Sequence, residues 1–109
     1  MLDKNKCKKI IKDRIEADKN YLGYPMIEER CWIPISTELS KDIDETISFW
    51  NEINAEEFLY TLEVLDEIIQ NTKSQKILDA VKQIGEKKNC DAKDIQNRRE
   101  SAECWLSDD

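Results

Sequence analysis

The feature that most constrains the fold is an amphipathic segment in the middle of the chain, at residues 54–70. Asn54, followed three residues later by Glu57, forms a capping-box pattern that is typical of a helix N-terminus. Apolar residues then recur at helical spacing, and they are Phe58, Leu59, Leu62, Leu65, Ile68 and Ile69. This spacing predicts a long helix with one buried face. A fold that contains this helix needs further apolar faces to cover it.

Other segments of the chain carry a similar periodicity. It predicts a first helix over residues 3–20 and a second over 41–52, while a fourth and a fifth helix follow the central one. Ser40, Ser74 and Asp91 are suitable N-caps for the second, fourth and fifth helices. The stretch 21–36 is rich in Pro, Gly and aromatic residues, and Pro25 and Pro34 disfavour helix in the residues that precede them. We expect an ordered loop there.

These elements predict an all-α fold. We expect a compact bundle, or a short stack of helical pairs, with about five helices in a single domain over residues 1–109. The link between the third and fourth helices is about four residues long, so these two helices are predicted to form an antiparallel αα-hairpin. No second strand-like segment is present to pair with residues 21–36.

The composition argues against the common catalytic and metal-binding classes. The chain has no histidine, only two glycines, and four cysteines without a C-x-x-C spacing. Neither a Ser–His or Cys–His arrangement nor a phosphate-binding loop can be built from it. We therefore expect no enzyme, no cofactor and no metal site. The longest apolar run has five residues and the N-terminus lacks an apolar signal region, which favours a cytoplasmic protein with reduced thiols.

Charge is distributed unevenly along the chain. Residues 1–20 carry a net charge of +3, residues 21–72 carry −10, residues 73–99 carry +4, and residues 100–109 carry −4. An acidic block is therefore flanked by basic segments. Nucleic-acid binding is disfavoured, because the total charge is −7 and no aromatic residues lie among the basic ones. A basic face that balances the acidic block is the simpler interpretation.

The acidic block carries two stripes at helical spacing, each with one aromatic residue among carboxylates. Like charges three or four residues apart repel each other within a helix, so their accumulation suggests binding to a basic partner protein. The alternative is a solubilising face whose aromatic residues, Phe49 more readily than Tyr60, pack between helices. The predicted contact residues are Asp42, Glu45, Glu52, Glu56, Tyr60, Glu63 and Glu67.

One segment carries a family resemblance. The sequence "NAEEFLYTLEVLDEIIQNTKSQKILDAVKQIGEKK" (54–88) looks like an αα-hairpin of the HEAT-like kind. In its small size, acidity and helical character, the chain resembles the immunity proteins of bacterial contact-dependent inhibition and bacteriocin systems. The resemblance implies a non-catalytic protein that neutralises a cognate toxin, often a basic nuclease, by tight binding. The alternatives are a nucleic-acid mimic that blocks a DNA-binding or defence protein, and a regulatory helical scaffold.

The dipeptide Cys-Trp occurs twice, at residues 31–32 and 104–105. In an extended segment Cys31 and Trp32 would point to opposite sides, and on a helix Cys104 and Trp105 would lie about 100° apart. Neither pair is predicted to act together. We expect Trp32 and Trp105 to be core anchors, whereas an exposed Trp32 would instead indicate a binding hot spot.

Overall fold

The computed structural model describes residues 2–20 and 28–106, which form seven α-helices, and no strand occurs among them. The helices in chain order are α1 (Lys4–Asn20), α2 (Ile33–Leu39), α3 (Ile43–Glu52), α4 (Ala55–Thr61), α5 (Leu65–Thr72), α6 (Gln75–Lys87) and α7 (Ala92–Glu103). A π-helical turn (Glu28–Trp32) precedes α2, and 3₁₀ turns follow α4 (Leu62–Val64) and α7 (Cys104–Leu106). The predicted all-α fold class is confirmed.

Three of the predicted helix starts are confirmed by their capping contacts. The Asn54 side chain accepts a hydrogen bond from the Glu57 backbone N–H at 2.8 Å, and the Glu57 carboxylate accepts the Asn54 N–H at 3.1 Å. Ser74 accepts the N–H of Ile77, and Asp91 accepts the N–H groups of the second and third residues of α7. Each cap satisfies amide groups that have no partner within their helix.

The predicted cap at Ser40 is wrong. Asp42 is the N-cap of α3 and accepts the Glu45 N–H at 2.9 Å. Ser40 instead ends α2, and its hydroxyl donates to the Ser36 carbonyl at 2.6 Å. Ser40 therefore belongs to the end of α2, a helix that the sequence does not predict, and not to the start of α3.

The loop predicted over residues 21–36 is helical in the part that the structure describes, and residues 21–27 lie outside the described residues. The π-helical turn begins at Glu28 and leads directly into α2. Pro34 lies in the first turn of α2, where an amide N–H would have no acceptor within the helix. Proline therefore costs little at this position, although it disfavours helix in the residue before it.

The predicted third helix is divided into α4 and α5 by the 3₁₀ turn. Val64 and Leu65, at the point of division, are both buried. The predicted pairing of this helix with α6 is also wrong, because α6 packs most closely against α7. Gly85 contacts Ile95 and the Arg99 side chain reaches the Leu78 carbonyl, so α6 and α7 form the antiparallel hairpin.

The core brings together residues from all seven helices. At its centre, the Trp50 and Phe58 rings meet edge to face, with 5.6 Å between their centroids. Phe49 is fully buried, which places it in the core and not on the acidic surface. Helix α1 covers α2 and α4 with a buried face formed by Cys7, Ile10, Ile11 and Ala17. These contacts fix the position of α1 across the acidic part of the molecule.

The prediction that Trp32 and Trp105 are core anchors is wrong. Trp32 is 36% exposed and Trp105 is 41% exposed. At the first site the backbone is helical and not extended, and Cys31 is buried while Trp32 is exposed. The two side chains therefore point in different directions, as predicted. At the second site α7 ends at Glu103 and a 3₁₀ turn follows, in which Trp105 is exposed although Ala102, three residues earlier, is fully buried.

Among residues 2–20 and 28–106, no helix is both long enough and apolar enough to cross a bilayer.

Candidate binding surface

The acidic block finds cationic partners within the chain. Residues 42–72 contain nine acidic residues and no Lys or Arg. Helix α1 supplies a cation to this segment near each of its ends: Lys4 pairs with Glu52 at 2.8 Å, and Lys19 pairs with Glu56 at 3.8 Å. The repulsion between carboxylates on α3 and α4 is therefore partly relieved by a neighbouring helix.

A more closely connected arrangement lies towards the C-terminal half of α1. The Nε and Nη2 atoms of Arg14 each donate to Glu63 at 2.8 Å, which is a bidentate pair. The indole Nε1 of Trp32 donates to the same carboxylate at 3.2 Å. The Arg14 guanidinium lies 5.2 Å from the Tyr60 ring centroid, and the Tyr60 hydroxyl donates to Asp18 at 2.6 Å. We call these five residues the Trp32 patch.

The Trp32 patch is assembled from four separate elements. Arg14 and Asp18 lie on α1, Trp32 on the π-helical turn, Tyr60 on α4 and Glu63 on the following 3₁₀ turn. Each element is held to the core by its own buried neighbours, which include Ile11, Cys31 and Leu62. The geometry of the patch is therefore set by the fold and does not depend on one flexible segment.

The patch is partly exposed, with 12% of the Arg14 side chain and 24% of the Glu63 side chain accessible, and it lies above a nearly filled depression. This depression has a volume of only about 10 Å³, and it is lined by apolar groups of Ile10, Cys31 and Ile35 together with members of the patch. It has room for about one water molecule. Trp32 and its neighbour Ile33 (53% exposed) lie at the surface. A ligand of this region would therefore lie across the surface, since it cannot insert a large side chain into the depression.

The charges of the patch are stable near neutral pH. The hydrogen bond to Asp18, together with burial, raises the pKa of Tyr60 to about 12. The same hydrogen bond, donated by Tyr60, lowers the pKa of Asp18. Asp18 therefore stays ionised and Tyr60 stays protonated as the pH varies around neutrality.

The structure places the seven predicted contact residues in different surroundings. Asp42 caps α3, and Glu45 accepts the backbone N–H of Leu2 at 2.7 Å. Of the other predicted residues, Glu67 is exposed and makes no ion pair within the described residues, and the rest contact side chains of α1. The residues in contact with α1 are Glu52, Glu56, Tyr60 and Glu63. The predicted acidic face is thus divided by α1 into an α3 part and an α4 part.

Three members of the Trp32 patch are not among the contacts predicted from the sequence. Trp32 is predicted in the core, and neither Arg14 nor Asp18 is a predicted contact residue. Arg14 carries a signal that could have identified it, since it follows Cys7, Ile10 and Ile11 on the buried face of α1 at helical spacing. A cation at that position needs a carboxylate from another element, and Glu63 provides it.

No group of three or more Cys, Asp or Glu side chains in residues 2–20 and 28–106 is arranged to hold a metal ion.

A groove of about 500 Å³ lies between α6 and α7, with Leu78 and Ile95 among its apolar residues. Its lining mixes cations such as Lys82 with carboxylates such as Glu86, so it presents no surface of a single charge.

Comparison of the chain with protein-family models, with curated proteins and with solved structures finds no match to any of them.

Proposed function

We propose that the chain is a non-catalytic acidic binding protein that acts in the cytoplasm as an immunity protein, neutralising a basic, nuclease-type toxin by tight binding. The observation that carries this proposal is the Trp32 patch. Trp, Tyr and Arg are the residue types most enriched at the energetic centres of protein interfaces, and here one of each is held at or near the surface by two carboxylates.

The internal bonding of the patch supports a role in tight binding. Arg14, Glu63 and Trp32 are already connected before any partner arrives. A partner would therefore order few additional side chains on this protein, and the entropic cost of association would be small. Such preorganisation favours a slow dissociation rate, which a protein that neutralises a toxin requires.

The remaining charge supports a basic partner. The chain has a net charge of −7, Glu56 lies on α4 close to Tyr60, and Glu67 is exposed on α5. Carboxylates in this arrangement attract a basic protein at long range and accelerate the encounter. Binding would then cover the catalytic surface of the toxin and exclude its substrate.

Nucleic-acid mimicry receives less support from the same geometry. A mimic of duplex DNA needs a dense and regular array of negative charges. Here Lys4 and Lys19 lie among the carboxylates of α3 and α4, and Arg14 neutralises Glu63. The charge array is interrupted at these three positions.

The proposal is tested by capture followed by reconstitution. The chain is immobilised, a retained bacterial protein is identified, and that protein is then produced alone and titrated with the chain in a calorimeter. We expect a basic protein that binds at a one-to-one ratio and loses its toxic activity on binding. A retained protein whose activity is unchanged by saturating amounts of the chain would contradict the proposal.

A matched pair of charge reversals then tests the acidic surface. The double variant Glu56→Lys and Glu67→Lys changes the charge of the exposed surface of α4 and α5, whereas Glu86→Lys and Glu100→Lys makes the same change at the α6–α7 groove. Glu63 is left intact because its reversal would disrupt Arg14 and Trp32. We expect the first variant to slow association roughly tenfold and the second to have a smaller effect. Equal effects would exclude this surface.

A further inference from the structure

The way in which the chain holds its own Arg14 shows how this surface accommodates a cation. The Arg14 guanidinium lies over the Tyr60 ring at 5.2 Å. Glu63 bonds its Nε and Nη2 atoms, and Asp18 lies 3.6 Å from its Nη1 atom. The cation is therefore placed against an aromatic face and between two carboxylates, so that ring and counter-ions both stabilise it.

Trp32 offers a second aromatic surface beside the same carboxylate. Its indole N–H is tied to Glu63, so the orientation of the ring is fixed, yet the residue remains 36% exposed. Tryptophan is the best of the aromatic side chains for binding a cation. The carboxylate oxygens of Glu63 are themselves partly exposed, with 24% of the side chain accessible. An aromatic face and a carboxylate thus lie next to each other at the surface.

We propose that Trp32 is the anchor for an arginine side chain in a basic segment of the partner protein. The guanidinium of that arginine lies over the exposed part of the indole ring, as Arg14 lies over Tyr60, and shares the Glu63 carboxylate with Arg14. Arginine is favoured over lysine because its planar group can stack on the ring and bond a carboxylate at the same time. This inference rests on the proposed function, since it names the chemistry of the partner at the same surface.

Trp105 provides a control within the same chain. It is exposed to a similar extent as Trp32, at 41%. Its carbonyl accepts the Lys73 ammonium at 2.8 Å, whereas the Trp32 indole donates to a carboxylate. Comparing the two residues therefore separates the effect of an exposed tryptophan from the effect of the Glu63 carboxylate beside it.

The experiment uses the full chain labelled with ¹⁵N and follows its three indole N–H signals by NMR. The signals are assigned with the variants Trp32→Phe and Trp105→Phe, and the chain is titrated with a hexa-arginine peptide and, separately, a hexa-lysine peptide. We expect the Trp32 signal to shift in a saturable manner with hexa-arginine, and the Trp105 signal to stay in place. Hexa-lysine should bind several-fold more weakly. Equal shifts at Trp32 and Trp105, or equal affinities for the two peptides, would overturn the inference.

The variants Trp32→Leu and Trp105→Leu measure the contribution of the ring. Trp32→Leu should weaken hexa-arginine binding roughly fivefold, as expected for loss of one cation–π contact at a surface, while Trp105→Leu should change it by less than about twofold. A toxin that is neutralised equally well by Trp32→Leu and the unaltered chain would overturn the anchor and leave the proposed function standing. Saturable hexa-arginine binding at Trp32 in a chain that neutralises no toxin would support the anchor and contradict the proposed function.

Discussion

Helix α1 meets carboxylates at both of its ends, but the two ends differ in burial. At the N-terminal end Glu38 is only 1% exposed, and it accepts the Asp3 backbone N–H at 3.2 Å and the Lys41 ammonium at 2.7 Å. Towards the C-terminal end Glu63 binds Arg14 and Trp32 at the surface. Both carboxylates satisfy donors at α1, yet only the second lies where another molecule can reach it.

This difference separates a structural role from a binding role for the same side chain. A buried carboxylate that loses its partners leaves a desolvated charge or unsatisfied donors, so its bonds are important to stability. A surface carboxylate keeps access to water and contributes less to stability. We therefore expect changes near Glu38 to affect unfolding, and changes near Glu63 to affect binding more than unfolding.

The largest effect on stability is expected at Glu38. The variant Glu38→Gln keeps the shape of the side chain but weakens its bonds to Lys41, Lys6 and the Asp3 N–H. It should lower the free energy of unfolding by about 2 kcal/mol, since hydrogen bonds to charged groups have this magnitude. Urea denaturation measures the change, with Glu16→Gln on the exposed side of α1 as a control. A loss no greater than that of the control would remove the distinction between the two ends.

The same carboxylate predicts a loss of stability in acid. The hydrogen bond donated by Lys41 lowers the pKa of Glu38 in the folded state below its ordinary value of 4.5. The unfolded chain therefore takes up a proton at a higher pH than the folded chain does. The stabilisation from Glu38 is complete above pH 4.5 and is lost as the pH falls through the lowered pKa. Between about pH 7 and about pH 2, the free energy of unfolding should fall less steeply for Glu38→Gln than for the unaltered chain. Equal slopes for the two proteins would count against this prediction.

A smaller effect is expected at the exposed end. The variant Arg14→Met removes the bidentate pair with Glu63, whose side chains are 12% and 24% exposed, and should cost about 1.5 kcal/mol. It should also shift the Trp32 indole N–H signal, because Glu63 loses the bond that orients it. The matched control is Lys12→Met, which removes an exposed cation of the same helix. An unchanged Trp32 signal would show that Arg14 does not position the carboxylate.

The smallest effects are expected at the two exposed ion pairs of α1. Removing Lys4 or Lys19 by substitution with Ala breaks the contacts with Glu52 and Glu56, whose side chains are about half exposed. Such pairs are weak because solvent and salt screen them. Neither variant should shift the melting temperature resolvably at physiological salt. A clear shift that persists in high salt would indicate that these pairs have a larger structural role.

Local chemistry explains which parts of the fold could be predicted from the sequence. The caps at Asn54, Ser74 and Asp91 depend on residues within three or four positions, and the buried stripes depend on regular spacing. Helix α2 was missed because Pro34 was treated as a helix breaker, although the first turn of a helix tolerates proline. The exposure of Trp105 does not follow from the sequence, because this residue lies beyond the end of α7, where helical spacing no longer determines which side chains are buried.

The candidate surface was predictable only in part, for a different reason. The stripe that contains Tyr60 and Glu63 follows from helical spacing on the sequence. The bonds from Arg14 and Trp32 to Glu63 are tertiary contacts. Arg14 precedes Glu63 by 49 positions and Trp32 precedes it by 31 positions, so both bonds depend on how the helices pack. The separation of charge into acidic and basic segments indicated that such contacts should form, but not which side chains would meet.

The most direct test of the Trp32 patch as the binding surface is calorimetric titration of the purified toxin into the unaltered chain and the variants Trp32→Leu and Trp105→Leu. Because Trp32 is exposed, its replacement should change the free energy of unfolding little. We predict that Trp32→Leu weakens toxin binding at least tenfold, as for a hot-spot residue, and that Trp105→Leu changes it by less than about twofold. Equal affinities for the two variants would contradict the assignment of binding to the Trp32 patch.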